Sequence, residues 1–186
     1  FRFSSHLNES SMPMLVEAAR YGDENAYREL IARTYKSVKS YCSVMGSPSE
    51  SDDLAQEAYS RAIKGKTPIL ETENPEAFMI AISKFVCADY LKSKSKTKSL
   101  NEKLRISSSE VDSTPETDTD LPLLNELSSA HKQVVLLVVV FGFSYEESAE
   151  ILSLPIGTVR SRLNRAKEIL RNLSENGTFI EQLATS

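Results

Sequence analysis

The chain has 186 residues, of which 40% are hydrophobic and 26% charged, enough for one ordinary domain or two small ones. Its net charge of −4, from 22 basic and 26 acidic residues, argues against a nucleic-acid binder, whose binding domain is usually basic. The longest apolar run, Val134–Phe141, is far shorter than the about 20 residues that a membrane-spanning helix needs.

The metal-ligating residue types are few. Cys42 and Cys87 lie far apart without Cys-x-x-Cys spacing, and the only histidines are His6 and His131. We therefore predict no metal site and no cofactor, and two free thiols in a reducing cytoplasm. The chain begins Phe1-Arg2-Phe3 without Met, and we expect residues 1–11 to be a disordered leader or an expression remnant.

Residues 12–91 carry apolar side chains at spacings of three and four, which predicts amphipathic helices and no strands. Glycine and proline interrupt this pattern, and Asn74-Pro75 is typical of a helix start. The prediction is four helices, over 12–21, 25–45, about 50–64 and from 74 onward. The inward faces would be Leu30, Ile31, Tyr35, Val38 and Cys42 on the second helix, and Leu54, Ala55, Ala58, Tyr59 and Ala62 on the third.

The fourth helix is apolar almost all round, so we expect it to be central. The segment after it, 92–120, alternates lysine with serine or threonine and then becomes rich in Ser, Thr, Asp and Glu. Such a composition cannot bury enough apolar surface to offset the entropy of ordering, so it predicts a flexible linker, which we place at 95–120.

Dividing the charge along the chain weakens the objection to nucleic-acid binding. Residues 92–105 hold six basic and one acidic residue, and 155–172 hold five and one. Residues 106–120 hold five acidic residues and no basic one. Two basic islands therefore lie in an acidic chain.

The second domain opens at Leu121-Pro122. Its run Val134–Phe141 could be a buried strand by propensity, but the helical patterns around it and the lack of a partner strand favour a buried helix. Ser144 and Glu147 have capping-box spacing at the start of a helix that ends at Leu152. A break at 153–155 and a longer helix from about Ile156 complete helix-turn-helix proportions.

The second helix of this motif divides into two faces. Val159, Leu163, Ala166, Leu170 and Leu173 form one inward stripe. The opposite side and its shoulders are rich in Arg, Ser, Thr and Asn, the side chains that read base edges and hold phosphates in a major groove. The alternative is a solvated polar face, with Lys167 and Arg171 interacting favourably with the C-terminal end of the helix dipole.

Three segments resemble those of bacterial RNA polymerase sigma factors, and the extracytoplasmic-function (ECF) group in particular. Phe143–Leu152 with Pro155–Lys167 is similar to the family's upstream-element reader, Asp52–Ala62 to its polymerase-docking helix, and Asn74–Leu91 to its promoter-melting helix. The resemblance covers roughly 12–175, in the family's order.

The resemblance implies a non-catalytic specificity subunit that binds core RNA polymerase and directs transcription initiation. The family's region 2, here residues 12–94, would dock on the clamp of the β′ subunit and open the −10 element. Its region 4, here residues 121–175, would contact the flap of the β subunit and read the −35 element. Promoter DNA and an anti-sigma factor are the further partners that it implies, with no membrane. The implied −35 contacts are Thr158, Arg160, Ser161, Arg162, Asn164 and Arg165.

The resemblance assigns polymerase docking to Asp52, Asp53, Gln56, Glu57 and Arg61. Without it, these residues read as a solvated acidic helix start followed by an i,i+4 ion pair. It assigns −10 melting to Phe78, Lys84, Phe85, Asp89 and Lys92.

Several positions depart from the family pattern. Phe85 stands where members often have Asn, so it is either a base reader or part of the core, and Phe78 stands for the common Trp. Ile80-Ala81 replaces a Tyr-Arg pair. Ser148 places a hydroxyl where an apolar residue usually packs, and we expect it to lower the stability of the second domain slightly.

The prediction is thus an all-α chain of two small helical domains joined by a flexible linker, with a helix-turn-helix in the second. Its parts are region 2 at 12–94, the linker at 95–120, region 4 at 121–175 and a tail at 176–186. The acidic 106–120 segment is either a nucleic-acid mimic in a polymerase channel or a plain tether. Rival interpretations are a DNA-binding regulator that acts without polymerase, and an enzyme using Asp52, Asp53 and Glu57, for which no His, phosphate loop or nucleophile is evident.

Overall fold

The described residues of the computed structural model, 11–65, 69–104 and 122–173, form helices joined by short turns and contain no strand. The chain divides into two compact units, one before and one after the 105–121 gap. The all-α prediction is confirmed. The helices are α1 Met12–Arg20, α2 Glu24–Met45, α3 Ser51–Lys64, α4 Pro75–Leu104, α5 Ser129–Val135, α6 Tyr145–Leu152 and α7 Ile156–Leu173.

Short polar residues fix the helix starts in the first unit. The Asp23 carboxylate accepts hydrogen bonds from the backbone amides of Asn25 and Ala26, at 2.9 and 3.1 Å, and begins α2. Gly22, with φ of +90°, makes the turn that separates α2 from α1. At α4 the Asn74 side chain accepts from the Ala77 amide at 3.0 Å, and Pro75 fills the first turn as the sequence predicts.

The core of the first unit lies where α2 packs against α1, α3 and α4. Leu30, Val38 and Cys42 are fully buried as predicted, whereas Ile31 and Tyr35 lie at the edge of the core. The buried positions of α2 are 26, 30, 34, 38, 41, 42 and 45, a wider set than predicted, because α2 must face three neighbouring helices at once. One of these positions is polar: the hydroxyls of Thr34 and Tyr59 lie 2.6 Å apart, and burial raises the pKa of Tyr59 to about 12.

The fourth helix is both central and longer than its apolar pattern indicates. Met79, Ile80, Val86 and Cys87 are buried along its first half. The helix then continues to Leu104, so the first ten residues of the predicted linker, 95–104, are helical. The residues of this part are polar apart from Leu100 and Leu104, so no continuous apolar stripe predicts a helix there, although lysine is a good helix former. The acidic segment 106–120, the tail at 176–186 and residues 1–10 lie outside the described residues.

Gly46, which follows α2, gives a stability prediction. A Cβ at this position would lie 2.5 Å from Leu54 Cδ1 and 2.8 Å from the Cys42 carbonyl oxygen, and a helix carbonyl cannot move aside. We expect Gly46→Ala to lower the free energy of unfolding by about 1–3 kcal/mol. Urea denaturation of the full chain measures this.

The matched control is Gly157→Ala, because a Cβ at Gly157 meets no atom within 4 Å. That variant should be neutral, or more stable by up to about 1 kcal/mol through helix propensity. Equal effects of the two substitutions would contradict the close approach at Gly46.

In the second unit the valine-rich run is helical, as predicted, but it is not a regular α-helix. After Val135 the helix widens into a π-helical turn over Leu136–Val140, in which the Phe141 amide donates to the Leu136 carbonyl at 2.9 Å. Val134 to Leu137 are fully buried. The run therefore forms the centre of this unit, against which α7 packs.

Ser148 on α6 is fully buried, and its hydroxyl has no hydrogen-bond partner within the described residues. This position supports the expectation that Ser148 lowers the stability of the second unit, because a buried hydroxyl without a hydrogen-bond partner costs free energy. We expect Ser148→Ala to stabilise the second unit by about 1–2 kcal/mol. Hydrogen–deuterium exchange of the α6 and α7 amides in the full chain measures the gain.

Ser161→Ala is the control for helix propensity, since Ser161 is exposed on α7. The gain from Ser148→Ala should exceed that from the control. If the two variants protect the amides equally, the buried hydroxyl carries no penalty.

Candidate nucleic-acid and partner interfaces

The helix-turn-helix is held by local hydrogen bonds that the sequence predicts. The Ser144 hydroxyl accepts from the Glu147 amide at 3.1 Å, and the Glu147 carboxylate accepts from the Ser144 amide at 2.8 Å. The capping box is thus confirmed. Ser153 adopts the left-handed conformation, with φ of 55°, which turns the chain from α6 towards α7.

The two faces of α7 are separated as predicted. Val159, Leu163, Ala166 and Leu170 are buried, while Leu173 at the end of the helix is 43% exposed. On the opposite face the side chains that we predicted to read DNA are accessible. Arg160, Ser161, Asn164 and Arg165 are exposed, and Thr158 and Arg162 are half-buried.

The cations of this face are available to an anion. Arg160 lies over the ring of Tyr145 on α6, 5.5 Å from its centroid, which positions its guanidinium while leaving it exposed. Among the described residues, no ion pair involves an arginine of α7. A polyanion could therefore approach this face of α7 without first displacing an acidic side chain from the arginines.

A second candidate surface follows α4. Phe85, Asp89, Lys92 and Lys96 are spaced by four, three and four residues, so they share one face, and all four are exposed. Phe85 is 59% exposed, which makes it a surface residue and not part of the core. Phe78 is half-buried closer to the start of the helix.

Lysines accompany the aromatic rings of this helix. Lys84 Nζ lies 4.7 Å from the centroid of the Phe85 ring, and partial burial lowers the pKa of Lys84. Lys94 Nζ lies 4.9 Å from the centroid of the Tyr90 ring. Rings flanked by cations are the chemistry that stacks on bases and holds a nucleic-acid backbone.

The predicted docking residues of α3 divide into two groups. Asp53, Gln56 and Glu57 are exposed on its outer face. Asp52 instead turns to α2, where Lys39 Nζ lies 2.9 Å from one carboxylate oxygen and the Tyr35 hydroxyl donates to the other at 3.0 Å. The hydrogen bond from Lys39, followed by that from Tyr35, lowers the pKa of Asp52.

Arg61 connects α3 to α4. Its Nε lies 2.8 Å from Glu57 Oε1 on α3, and its Nη1 lies 2.8 Å from Asp89 Oδ2 on α4. The hydrogen bond from Arg61 lowers the pKa of Asp89, so this carboxylate stays ionised and paired. Residues that the sequence assigns to two separate surfaces are thus joined by one guanidinium.

Two features near α3 escape sequence reasoning. Ile63 is 81% exposed at the end of the outer face, seven residues after Gln56, and this spacing is the signal that could have revealed it. Beside it an apolar cavity of about 260 Å³ is lined by residues from four segments of the first unit: Tyr27, Ile31, Tyr59, Ala62, Ile63, Gly65, Ile69, Leu70 and Met79. Only the tertiary fold brings these residues together.

Neither a metal cluster nor a membrane span is present in the parts of the chain that the structure describes. No group of three or more His, Cys, Asp or Glu side chains is close enough to hold an ion. None of the described helices is both long and apolar enough to cross a bilayer.

Two family models match the chain, one in each unit. Sigma-70 region 2 matches residues 26–97, and sigma-70 region 4 matches residues 122–170. The chain is 24% identical over 168 residues to ECF RNA polymerase sigma factor SigC of Mycobacterium tuberculosis, covering 88% of this chain and 91% of that protein. It is 26% identical over 183 residues to ECF RNA polymerase sigma-E factor of Escherichia coli, covering 86% and 92%.

Solved structures agree in fold. The sigma factor RpoE of Bartonella quintana, determined in complex with the anti-sigma factor NepR, superposes with a TM-score of 0.61 at 20% identity, covering 79% of this chain and 95% of that one. CnrH in complex with the cytosolic domain of CnrY superposes with a TM-score of 0.58 at 20% identity, covering 88% and 97%.

Proposed function

Since this chain belongs to the sigma-70 family of RNA polymerase sigma factors, in its ECF group, we propose that it divides promoter recognition between its two units. In this proposal α7 reads the −35 element and α4 opens the −10 element, while α3 docks on core RNA polymerase. The observation that carries the proposal is the division of α7 into a buried apolar stripe and an exposed face of Arg, Ser and Asn with no acidic partner among the described residues.

The −35 role follows from what this face can bind. Arginine pairs with guanine and asparagine with adenine in the major groove, while hydroxyl groups bind phosphates. Arg160, Ser161, Asn164 and Arg165 are placed for these contacts, with Thr158 and Arg162 at the edges. A helix of this kind following a short turn is the usual way in which a helix-turn-helix enters DNA.

The −10 role needs a base to leave the stack and be held, while cations bind the backbone. Phe85 offers an exposed ring, and Lys92 and Lys96 continue its face along α4. Lys84 adds a cation beside the ring, and Phe78 supplies a second, half-buried ring. The same helix is therefore suited to both parts of promoter melting.

We propose the predicted boundaries as functional regions, with region 2 at 12–94 and region 4 at 121–175. Region 2 would dock on the clamp of the β′ subunit through Asp53, Gln56 and Glu57, and region 4 on the flap of the β subunit. The chain itself would perform no catalysis and would act in the cytoplasm. An anti-sigma factor would hold it inactive, as the two solved relatives are bound by NepR and CnrY.

The test has two steps with purified core polymerase. The chain should co-elute with core in gel filtration, and the complex should select from a random DNA library sequences that share two motifs at a fixed spacing. Failure to co-elute, or a selection no different from that of core alone, would overturn the proposal. Selection of sites by the chain without core would instead favour a regulator that works without polymerase.

A further inference from the structure

The exposed face of α4 contains one residue of the wrong charge for a nucleic-acid surface. Asp89 lies between Phe85 and Lys92 on that face and is itself exposed. A free carboxylate there would repel the phosphates that the neighbouring lysines attract. Its pKa is lowered, so protonation does not remove the charge near neutral pH.

Arg61 neutralises this charge from the adjacent helix. Its guanidinium donates to Asp89 through Nη1 and to Glu57 through Nε, both at 2.8 Å, so it is fixed at both ends. The side chains of Arg61 and Asp89 are 40% and 56% exposed, and a pair this exposed contributes little to the stability of a fold. The pair still places a positive charge 2.8 Å from the Asp89 carboxylate, which offsets the negative charge at this point on α4.

We propose that Arg61 is a positioning residue for promoter opening, which binds the Asp89 carboxylate and withdraws its charge from the DNA path along α4. This inference rests on the proposed melting role of α4, and it revises the prediction that Arg61 is itself a polymerase contact. The contact also joins α4 to α3, so the proposed melting surface and the proposed docking helix share one side chain.

The experiment compares holoenzymes carrying Arg61→Ala, Asp89→Ala, the double variant and Arg61→Lys on one promoter. Core affinity is measured by co-elution, and opening by permanganate reactivity of unpaired thymines at saturating sigma factor. Arg61→Ala should keep core affinity within about twofold and reduce opening about fivefold, the scale of one exposed charge pair. Asp89→Ala should raise opening, because it removes the anion and leaves the Arg61 cation unpaired beside the DNA path.

The double variant decides the mechanism. If Arg61 acts by neutralising Asp89, the double variant should recover opening to about the wild-type level, because both charges of the pair are then absent. Arg61→Lys should rescue part of the loss, since a lysine keeps the charge but cannot bind both carboxylates in a fixed fork. Arg28→Ala is the matched control, because Arg28 also pairs with the carboxylate four residues before it but lies on α2.

Three results would overturn the inference. One is loss of core binding by Arg61→Ala that persists in the double variant, which would make Arg61 a polymerase contact. The second is normal opening by Arg61→Ala, and the third is a double variant that opens the promoter no better than Arg61→Ala. All three are distinct from failure of the wild-type holoenzyme to open any promoter, which would overturn the proposed function as well.

Discussion

Replacing Phe85 with alanine is expected to reduce promoter opening by about tenfold or more while leaving the fold intact. Stacking of one base on an aromatic ring is worth about 1–3 kcal/mol, and this variant removes the ring that the exposed face of α4 offers. Because the side chain is 59% exposed, its loss should change the free energy of unfolding by only about 0.5 kcal/mol. Permanganate reactivity of the −10 thymines measures opening, and urea denaturation measures stability.

Leu91→Ala is the matched control for this variant. Leu91 is 44% exposed on the same helix but lies off the face of Phe85 and Lys92, so its truncation should leave opening unchanged. Phe85→Tyr should retain most of the opening, since the ring remains. Normal opening by Phe85→Ala would exclude the stacking role. A large decrease in the free energy of unfolding would indicate instead that Phe85 packs in the core.

Replacing Arg165 with alanine is expected to weaken binding of the holoenzyme to the −35 element by about 5- to 150-fold, from the loss of about 1–3 kcal/mol that a base-reading arginine supplies. Arg165 is exposed on α7 and has no ion-pair partner among the described residues, so core association and folding should not change. Fluorescence anisotropy with duplexes that carry or lack the selected −35 motif measures the effect.

Arg171→Ala controls for the loss of one positive charge from α7. Arg171 is exposed but lies in the last turn, beyond the half of the helix that we propose enters the groove. The Arg171→Ala variant should lower the affinity of the holoenzyme for both duplexes slightly and by the same factor. If Arg165→Ala abolished core association, or lowered the affinity for both duplexes by the same factor, the assignment of this face to base reading would be wrong.

Local patterns predict those features that are determined within a few residues along the chain. The capping box at Ser144 and Glu147 depends on side chains three residues apart, and the stripe from Val159 to Leu170 on a single helical period. Both are present in the structure as predicted. The resemblance adds the order of the segments, which the matches to region 2 and region 4 confirm.

Contacts between helices could not be predicted in this way. Arg61 and Asp89 are 28 residues apart, and Lys39 and Asp52 are 13 apart, so no periodicity links them. The sequence could not predict that Phe85 is exposed either. The start of α4 is apolar almost all round, and only packing decides which side faces solvent. After Leu91, the extension of α4 to Leu104 contains only two apolar residues, Leu100 and Leu104, which are too few to predict a helix.

The central claim is that this chain gives core polymerase promoter specificity, and run-off transcription tests it most directly. The template should carry a promoter recovered by the holoenzyme selection, and core polymerase should be assayed with and without the chain. A discrete run-off product that requires the chain, and that disappears when the −35 or −10 motif is scrambled, is the predicted result. The same products with and without the chain would contradict the account.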